Sequence, residues 1–167
     1  GLKRLVVQIT EKNGYIICKC EKLKGNEIML DCPSVGATEN IMLAAVKAEG
    51  TTIIKNAARE PEIEDLQNFL NRIGAKITGA GSGTVRIDGV SKLYGCQYQP
   101  IPDRIEAGTF LIGAAMCGGE ITADGIYPEN ISSLIHKLAE NGCKIHINND
   151  RIVLENHKTL TSVKSVE

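Results

Sequence analysis

The chain has 167 residues, 43% hydrophobic and 23% charged, with a formal net charge of −1, 4% aromatic residues and no tryptophan. That length holds one domain with a real core or two small lobes. The near-neutral charge and scarce aromatics exclude the basic footprint and stacking platforms of nucleic-acid binders, so no nucleic-acid partner is expected. No apolar run reaches transmembrane length and residues 1–10 lack a signal peptide's apolar core, so no membrane partner is expected and the expected location is cytoplasmic. The first residue is Gly1, which reads as a boundary inside a longer chain.

Six cysteines stand at 18, 20, 32, 96, 117 and 143, none in a CxxC pair. Cys18 and Cys20 fall on one face of a strand at i and i+2. A chain with this apolar content needs no disulfide framework, so reduced, mostly buried thiols are expected. His136, His146 and His157 show no ligand spacing with them, and neither metal nor cofactor is assigned.

In chain order, the sequence repeats itself. Leu2 to Ile9, Leu70 to Ile77 and Leu138 to Ile145 lie 68 residues apart, twice, and each reads as a last helical turn followed by a strand. Gly74 and Gly142 suit a left-handed helix C-cap. Val6 takes that place in the first copy, so either the helix ends differently there or Val6 is strained. Gly50 and Gly118, Ile53 and Ile121, and Asn56 and Asp124 keep the same period, while Pro61 and Pro128 slip by one.

Two complete units follow from this. The first predicts a strand over Glu27–Asp31, a helix over 37–48 ended by a glycine, and a strand over Thr51–Asn56. A helix opened by Pro61 and two strands, Lys76–Thr78 and Thr84–Asp88, complete it. The second predicts a strand over Gly95–Ile101, a helix over 105–116, a strand over Glu120–Asp124, a helix opened by Pro128, and strands Lys144–Ile147 and Arg151–Glu155. Ile63, Leu66, Leu70 and Ile73 line one helix face, as do Ile131, Leu134, Ile135 and Leu138. The fold class is therefore α/β (α+β), with repeated βαβαββ units. One continuous mixed sheet is the alternative, and the regular period favours modules. The polar stretch after Glu155 reads as a strand of a next segment.

The stretch from Pro33 to Leu43 runs from a small-residue loop into an apolar helix. Pro33 ends the strand before it. Ser34 and Thr38 are expected to accept hydrogen bonds from first-turn amides, and Gly36 leaves room for a close approach. On residue types alone two readings stand: a capped helix start, or an anion site for a phosphate or diphosphate.

Four strings carry a more specific signal: Ser34-Val35-Gly36-Ala37-Thr38; Ala48-Glu49-Gly50-Thr51-Thr52-Ile53-Ile54; Asn56-Ala57-Ala58-Arg59-Glu60-Pro61-Glu62; and Pro102 to Phe110. Together they resemble the UDP-N-acetylglucosamine enolpyruvyl transferase family, 1-carboxyvinyltransferases of bacterial peptidoglycan synthesis. The resemblance runs from Leu2 to about Val166. It implies an inside-out α/β barrel fold of two lobes, each of three βαβαββ units, with substrates in the cleft between them. Residues 1–101 would then hold the end of one unit and a complete unit of the first lobe, and 102–167 one unit of the second. The chain would be an internal fragment, less than half of the enzyme and inactive alone.

The family reaction joins the 3-hydroxyl of UDP-N-acetylglucosamine to phosphoenolpyruvate and expels phosphate. The family's Gly-rich loop with its Cys, and its Lys-Asn pair for phosphoenolpyruvate, have no counterpart in this sequence. What carries over is local. Cys32, Pro33, Ser34, Val35 and Gly36 match the family's UDP-sugar contact, with Cys32 standing where some members have Lys. Glu60 and Asp103 match acidic residues of the cleft, as candidate catalytic groups that position the sugar hydroxyl or accept its proton. On residues alone Glu60 is a helix-start charge, and Arg104 pairs with Asp103 or Glu106. The alternatives are a piece of a 3-phosphoshikimate 1-carboxyvinyltransferase, or a non-catalytic repeat module for binding or assembly. An unpaired cleft face would favour self-association of the fragment.

Overall fold

The computed structural model describes residues 1–157, 160 and 161. A 3-10 turn, Leu2–Leu5, leads into strands β1 (Gln8–Lys12) and β2 (Tyr15–Lys19), an antiparallel ribbon. Then come β3 (Glu27–Met29), α1 (Val35–Ala45), β4 (Thr51–Lys55), α2 (Pro61–Arg72), β5 (Lys76–Thr78) and β6 (Thr84–Asp88). These four strands form one sheet in the order β3-β4-β6-β5, with β3 and β4 parallel. After a long connection come α3 (Arg104–Cys117), β7 (Gly119–Asp124), a 3-10 turn (Pro128–Ile131), α4 (Ser132–Glu140), β8 (Lys144–Asn148) and β9 (Arg151–Asn156). Their sheet has the order β7-β9-β8, which repeats β4-β6-β5. The chain divides into two compact units, Gly1–Pro100 and Ile101–Glu167.

Each unit has its own core. In the first, α1 buries Thr38, Ile41, Met42 and Ala45, spaced by three and four residues, and α2 buries Ile63 and Leu70. They cover the inner face of the sheet, where Ile54, Val85 and Ile87 are fully buried. In the second, Ala107, Gly108, Leu111 and Ala115 form the buried face of α3, above Ile152 and Leu154 of β9. A Cβ on Gly108 would stand 2.9 Å from Leu134 Cδ2, so a side chain there would displace the Leu134 methyl packed between α3 and α4.

The 68-residue repeat is a repeat of one backbone device. Val6 N–H donates to Lys3 O and Val7 N–H to Leu2 O. The pairs Gly74→Asn71 with Ala75→Leu70, and Gly142→Ala139 with Cys143→Leu138, are the same two bonds. Each is a Schellman ending, whose cap residue must take positive φ. Gly74 and Gly142 have φ of 103° and 100°, and Val6 is forced to 70°. The first helix ending therefore keeps its geometry and is strained.

Three expectations need correction. Gly95–Ile101 is not a strand: no secondary structure is assigned there, and the second sheet has three described strands. Pro100 has no N–H for a ladder, and the Tyr98 hydroxyl is bound instead to Asp65 of α2. The first helix spans 35–45 instead of 37–48. Beyond Ala45 the bonds Lys47→Ala44 and Ala48→Ala45 tighten the chain into a 3-10 turn. Of the six thiols only Cys143 is buried, and its burial pushes the thiol pKa up. Cys18 lies on the exposed β1–β2 ribbon, Cys117 ends α3 on an exposed face, and Cys20, Cys32 and Cys96 sit in exposed connecting segments. The strand expected after Glu155 falls partly on β9, which reaches Asn156. The remainder, residues 158–159 and 162–167, lies outside the described residues. Among the described residues, no helix is long and apolar enough to cross a membrane.

Two substitutions test these packing arguments. Val6→Gly relieves a β-branched residue in the left-handed region, worth about 1–2 kcal/mol, against roughly 0.5–1 kcal/mol of added chain entropy. Val6 is 55% exposed, so little burial is lost. Urea unfolding of the variant should give a higher midpoint for the first unit; a lower one contradicts the strain. Thr52 Oγ1 is buried without a hydrogen-bond partner. Thr52→Val should stabilise the unit by about 1 kcal/mol in the same measurement.

Candidate functional site

Six of the seven candidate residues, Cys32 to Gly36 and Glu60, lie on the loops and helix start that follow the parallel strands β3 and β4. β3 runs through Leu30–Pro33 into α1, and β4 runs through Asn56–Glu60 into α2. Five hydrogen bonds hold these loops. Leu30 N–H donates to Lys55 O at 3.1 Å. Asn56, in the left-handed region at φ 56°, turns its side-chain amide back onto Leu30 O at 3.0 Å. Ala57 N–H donates to Gly83 O at 2.9 Å. Thr38, fully buried, donates its hydroxyl to Ser34 O at 2.8 Å and accepts Ala58 N–H at 3.1 Å. Thr38, expected to cap its own helix, is instead a cross-link between the two helix starts. Its helical spacing with Ile41, Met42 and Ala45 is the signal for that inward position.

Ser34 is the N-cap of α1, with extended backbone and Oγ accepting Ala37 N–H at 3.3 Å. The amides of Val35 and Gly36 lie in the first turn, where the helical ladder offers no acceptor. There is no acidic residue in that turn, so the positive end of the helix is not offset by its own side chains. Cys32 and Pro33 are exposed, Val35 is half-buried against the core, and a Cβ on Gly36 would meet no atom within 4 Å. The space beside Gly36 in the first turn is thus open.

Glu60 occupies the N-cap position of α2 without capping it. Its Oε2 accepts the backbone N–H of Arg59 at 2.8 Å, and the residue is half-buried. Proline at N1 and Glu62 and Glu64 in the first turn already suit this helix start. The Thr38–Ala58 bond therefore brings the loop carrying Glu60 to the start of α1. Arg59, whose place in the site no sequence signal marks, packs over Gly83: a Cβ there would lie 2.9 Å from Arg59 Nε.

Asp103 belongs to the second unit. It is the N-cap of α3, its Oδ1 accepting Ile105 N–H at 2.8 Å and Glu106 N–H at 3.1 Å. It is the counterpart of the N-cap Ser34 after a one-residue slip in the repeat, following a proline in both units. The first turn of α3 is thus neutralised by its own carboxylates, Asp103 and Glu106, whereas that of α1 is not. Among the described residues, no group of three or more His, Cys, Asp or Glu side chains is placed to hold a metal ion.

The comparisons with known proteins agree with one another. The family model of EPSP synthase (3-phosphoshikimate 1-carboxyvinyltransferase) matches residues 1–167. UDP-N-acetylglucosamine 1-carboxyvinyltransferase 2 of Caldanaerobacter subterraneus subsp. tengcongensis is 55% identical over 166 residues, covering 99% of this chain and 40% of that protein. UDP-N-acetylglucosamine 1-carboxyvinyltransferase 1 of Symbiobacterium thermophilum is 57% identical over 146 residues, covering 87% and 33%. The chain thus spans 40% or less of the length of these two relatives. Among solved structures, the enolpyruvyl transferase NikO from Streptomyces tendae superposes with a TM-score of 0.80 at 22% identity, over 95% of this chain and 41% of that one. EPSP synthase from Acinetobacter baumannii gives 0.59 at 23% identity, over 92% and 37%. These structural likenesses establish the fold, the inside-out α/β type of the enolpyruvyl transferases. With the family model matched from the first residue to the last, the chain belongs to the EPSP synthase family of enolpyruvyl (1-carboxyvinyl) transferases.

Proposed function

We propose that this chain is part of a UDP-N-acetylglucosamine enolpyruvyl transferase, contributing the diphosphate-facing side of the sugar-nucleotide site. In this reading residues 1–101 carry the end of one unit and a complete unit of the first lobe, and 102–167 one unit of the second. The whole enzyme forms a bond between the sugar 3-oxygen and the central carbon of phosphoenolpyruvate and expels phosphate, working in the cytoplasm. The single observation that carries the assignment of the site is the start of α1. It has an open first turn, no acidic residue, a glycine whose missing Cβ serves no internal packing, and a neutral cap. Such a turn offers amides and a positive dipole end to an anion. Identity of 50% or more to five proteins named for the UDP-sugar reaction supports this branch of the family over the phosphoshikimate branch.

The residues then take these roles. Ser34, Val35 and Gly36 bind the diphosphate through backbone amides and the serine hydroxyl. Cys32 and Pro33 flank it, and Cys32 supplies no fixed cation where some relatives carry Lys. Glu60 and Asp103 orient the sugar hydroxyl. Asp103 is anchored by two amides of α3, which suits a fixed positioning group better than one that moves with a proton. Catalysis needs electrostatic stabilisation of phosphoenolpyruvate by groups outside this chain, so the isolated chain binds weakly and does not turn over.

Titrating the chain with UDP-N-acetylglucosamine, with amide NMR shifts as the readout, should move Ser34 to Gly36 first and leave the β8–β9 hairpin still. Silence at millimolar ligand would sink the claim that this turn binds on its own. Gly36→Ala separates binding from folding. It replaces a helical glycine with alanine where no atom obstructs the Cβ. Thermal unfolding should shift upward by up to about 1 kcal/mol equivalent, while the shifts at Ser34 and Val35 shrink at equal ligand. Full retention of those shifts would place the nucleotide elsewhere.

A further inference from the structure

The connection between the units is not a free linker over most of its length. It leaves β6 at Gly89, whose N–H donates to Gly50 O at 3.0 Å and whose Cβ, if it had one, would fall 1.6 Å from Ala48 O. Val90 N–H then donates to Val46 O at 2.9 Å, and Leu93 packs on the first unit's core. Tyr94 N–H donates to Ile73 O at 2.8 Å, its ring lying against Gly74. Four residues later the Tyr98 hydroxyl donates to Asp65 Oδ1 at 2.6 Å and lies 3.1 Å from Asp65 O. The Tyr98 ring also meets Phe69 edge-on, with centroids 5.4 Å apart.

The spacing of these anchors is that of an extended strap. From Ile73 back to Asp65 is eight helical residues, about 12 Å of rise. From Tyr94 to Tyr98 is four extended steps, about 13 Å. The segment therefore runs antiparallel to α2, from its last turn to its first half, with an anchor at each end. Beyond Tyr98 the chain meets Pro100 and Pro102 and then the N-cap Asp103.

We propose that Tyr98 and Asp65 form a latch that makes residues 89–98 an integral part of the first unit, confining freedom between the units to Gln99–Pro102. Tyr98 and Asp65 are positioning residues. They fix the point from which the proline-stiffened crossover departs, five residues before Asp103. The meaning of that position for catalysis rests on the two-lobe reading above; the latch itself does not. Burial, then the hydrogen bond to Asp65, push the Tyr98 phenol up to about 12. The neutral phenol is the bonding form, so the latch is intact below the ordinary tyrosine range near 10 and is lost as pH rises through about 12.

Amide hydrogen exchange on the ligand-free chain tests this without reference to nucleotide binding. Tyr98→Phe keeps the ring against Phe69 and removes only the hydroxyl. Exchange at residues 92–99 should accelerate about tenfold or more, the scale of one hydrogen bond to a charged group, with β4 and α2 unchanged. Asp65→Ala should do the same, and Asp65→Asn, which keeps an acceptor, should restore slow exchange. An ultraviolet titration should show one late-ionising phenol that Tyr98→Phe removes. Unchanged exchange in both Tyr98→Phe and Asp65→Ala overturns the latch, as does acceleration spread evenly over β4 and α2. A chain that shows the latch but no nucleotide shifts refutes only the claim that the α1 turn binds nucleotide on its own.

Discussion

The first unit depends on one buried hydroxyl. Thr38 has no access to solvent, and its oxygen serves as donor to Ser34 O and acceptor for Ala58 N–H. A buried amide left unpaired costs about 1–3 kcal/mol, so this oxygen is needed by the loop after β4 as much as by its own helix. It also sets geometry. Pinned at one end to the N-cap residue of α1 and at the other to the residue two before Glu60, it fixes two helix starts with a single atom. Asn56 adds a second tie from the strand side, through Leu30 O. A site assembled from two loops needs such ties, because loops free to move would spend binding energy on ordering.

The repeat supplies the same frame twice and fills it differently. The helix endings at Val6, Gly74 and Gly142 share two hydrogen bonds each, and Ala57→Gly83 has its counterpart in Ile126→Asp150. Ser34 and Asp103 are both N-caps after a proline. What differs is charge. Asp103 takes two amides at 2.8 and 3.1 Å, whereas Ser34 takes one at 3.3 Å. The backbone device is conserved between units of this chain because packing requires it. The cap residue is free to diverge because either type satisfies a helix start.

Much of the fold was legible in the sequence for that reason. The period, the positive-φ glycines, the N1 prolines and the alternating strands are local signals with local causes. Strands β5, β6, β8 and β9 lie within a residue of where the pattern puts them. Gly95–Ile101 failed because a strand is defined by its partner, and the residues that decide it, Asp65 and Phe69, lie 33 and 29 positions from Tyr98. Cysteine burial failed for a related cause: composition states how much apolar surface exists, not which residues the loops and the two-stranded ribbon leave uncovered. In the candidate site, the string from Cys32 to Gly36 and the carboxylates were visible as residue types. The cross-link through Thr38 was not, because an inward threonine at helical spacing looks the same whether or not a distant amide needs it.

The asymmetry between the two caps bears on where an anion can bind. A helix N-terminus carries roughly half a positive charge, and any carboxylate placed on it offsets that charge before a ligand arrives. Asp103 and Glu106 do this for α3, and Glu62 and Glu64 for α2. The first turn of α1 has neither, and its serine cap is neutral. Acids stand in the first turns of α2 and α3 but not in those of α1 and α4, and such an acid is worth about 0.3–1 kcal/mol. Leaving Ser34 and Gly36 at this start forgoes both that term and the helix propensity of a residue with a Cβ. Under the reading proposed above, an external anion would meet less competing charge at the start of α1 than at those of α2 and α3, which carry their own carboxylates.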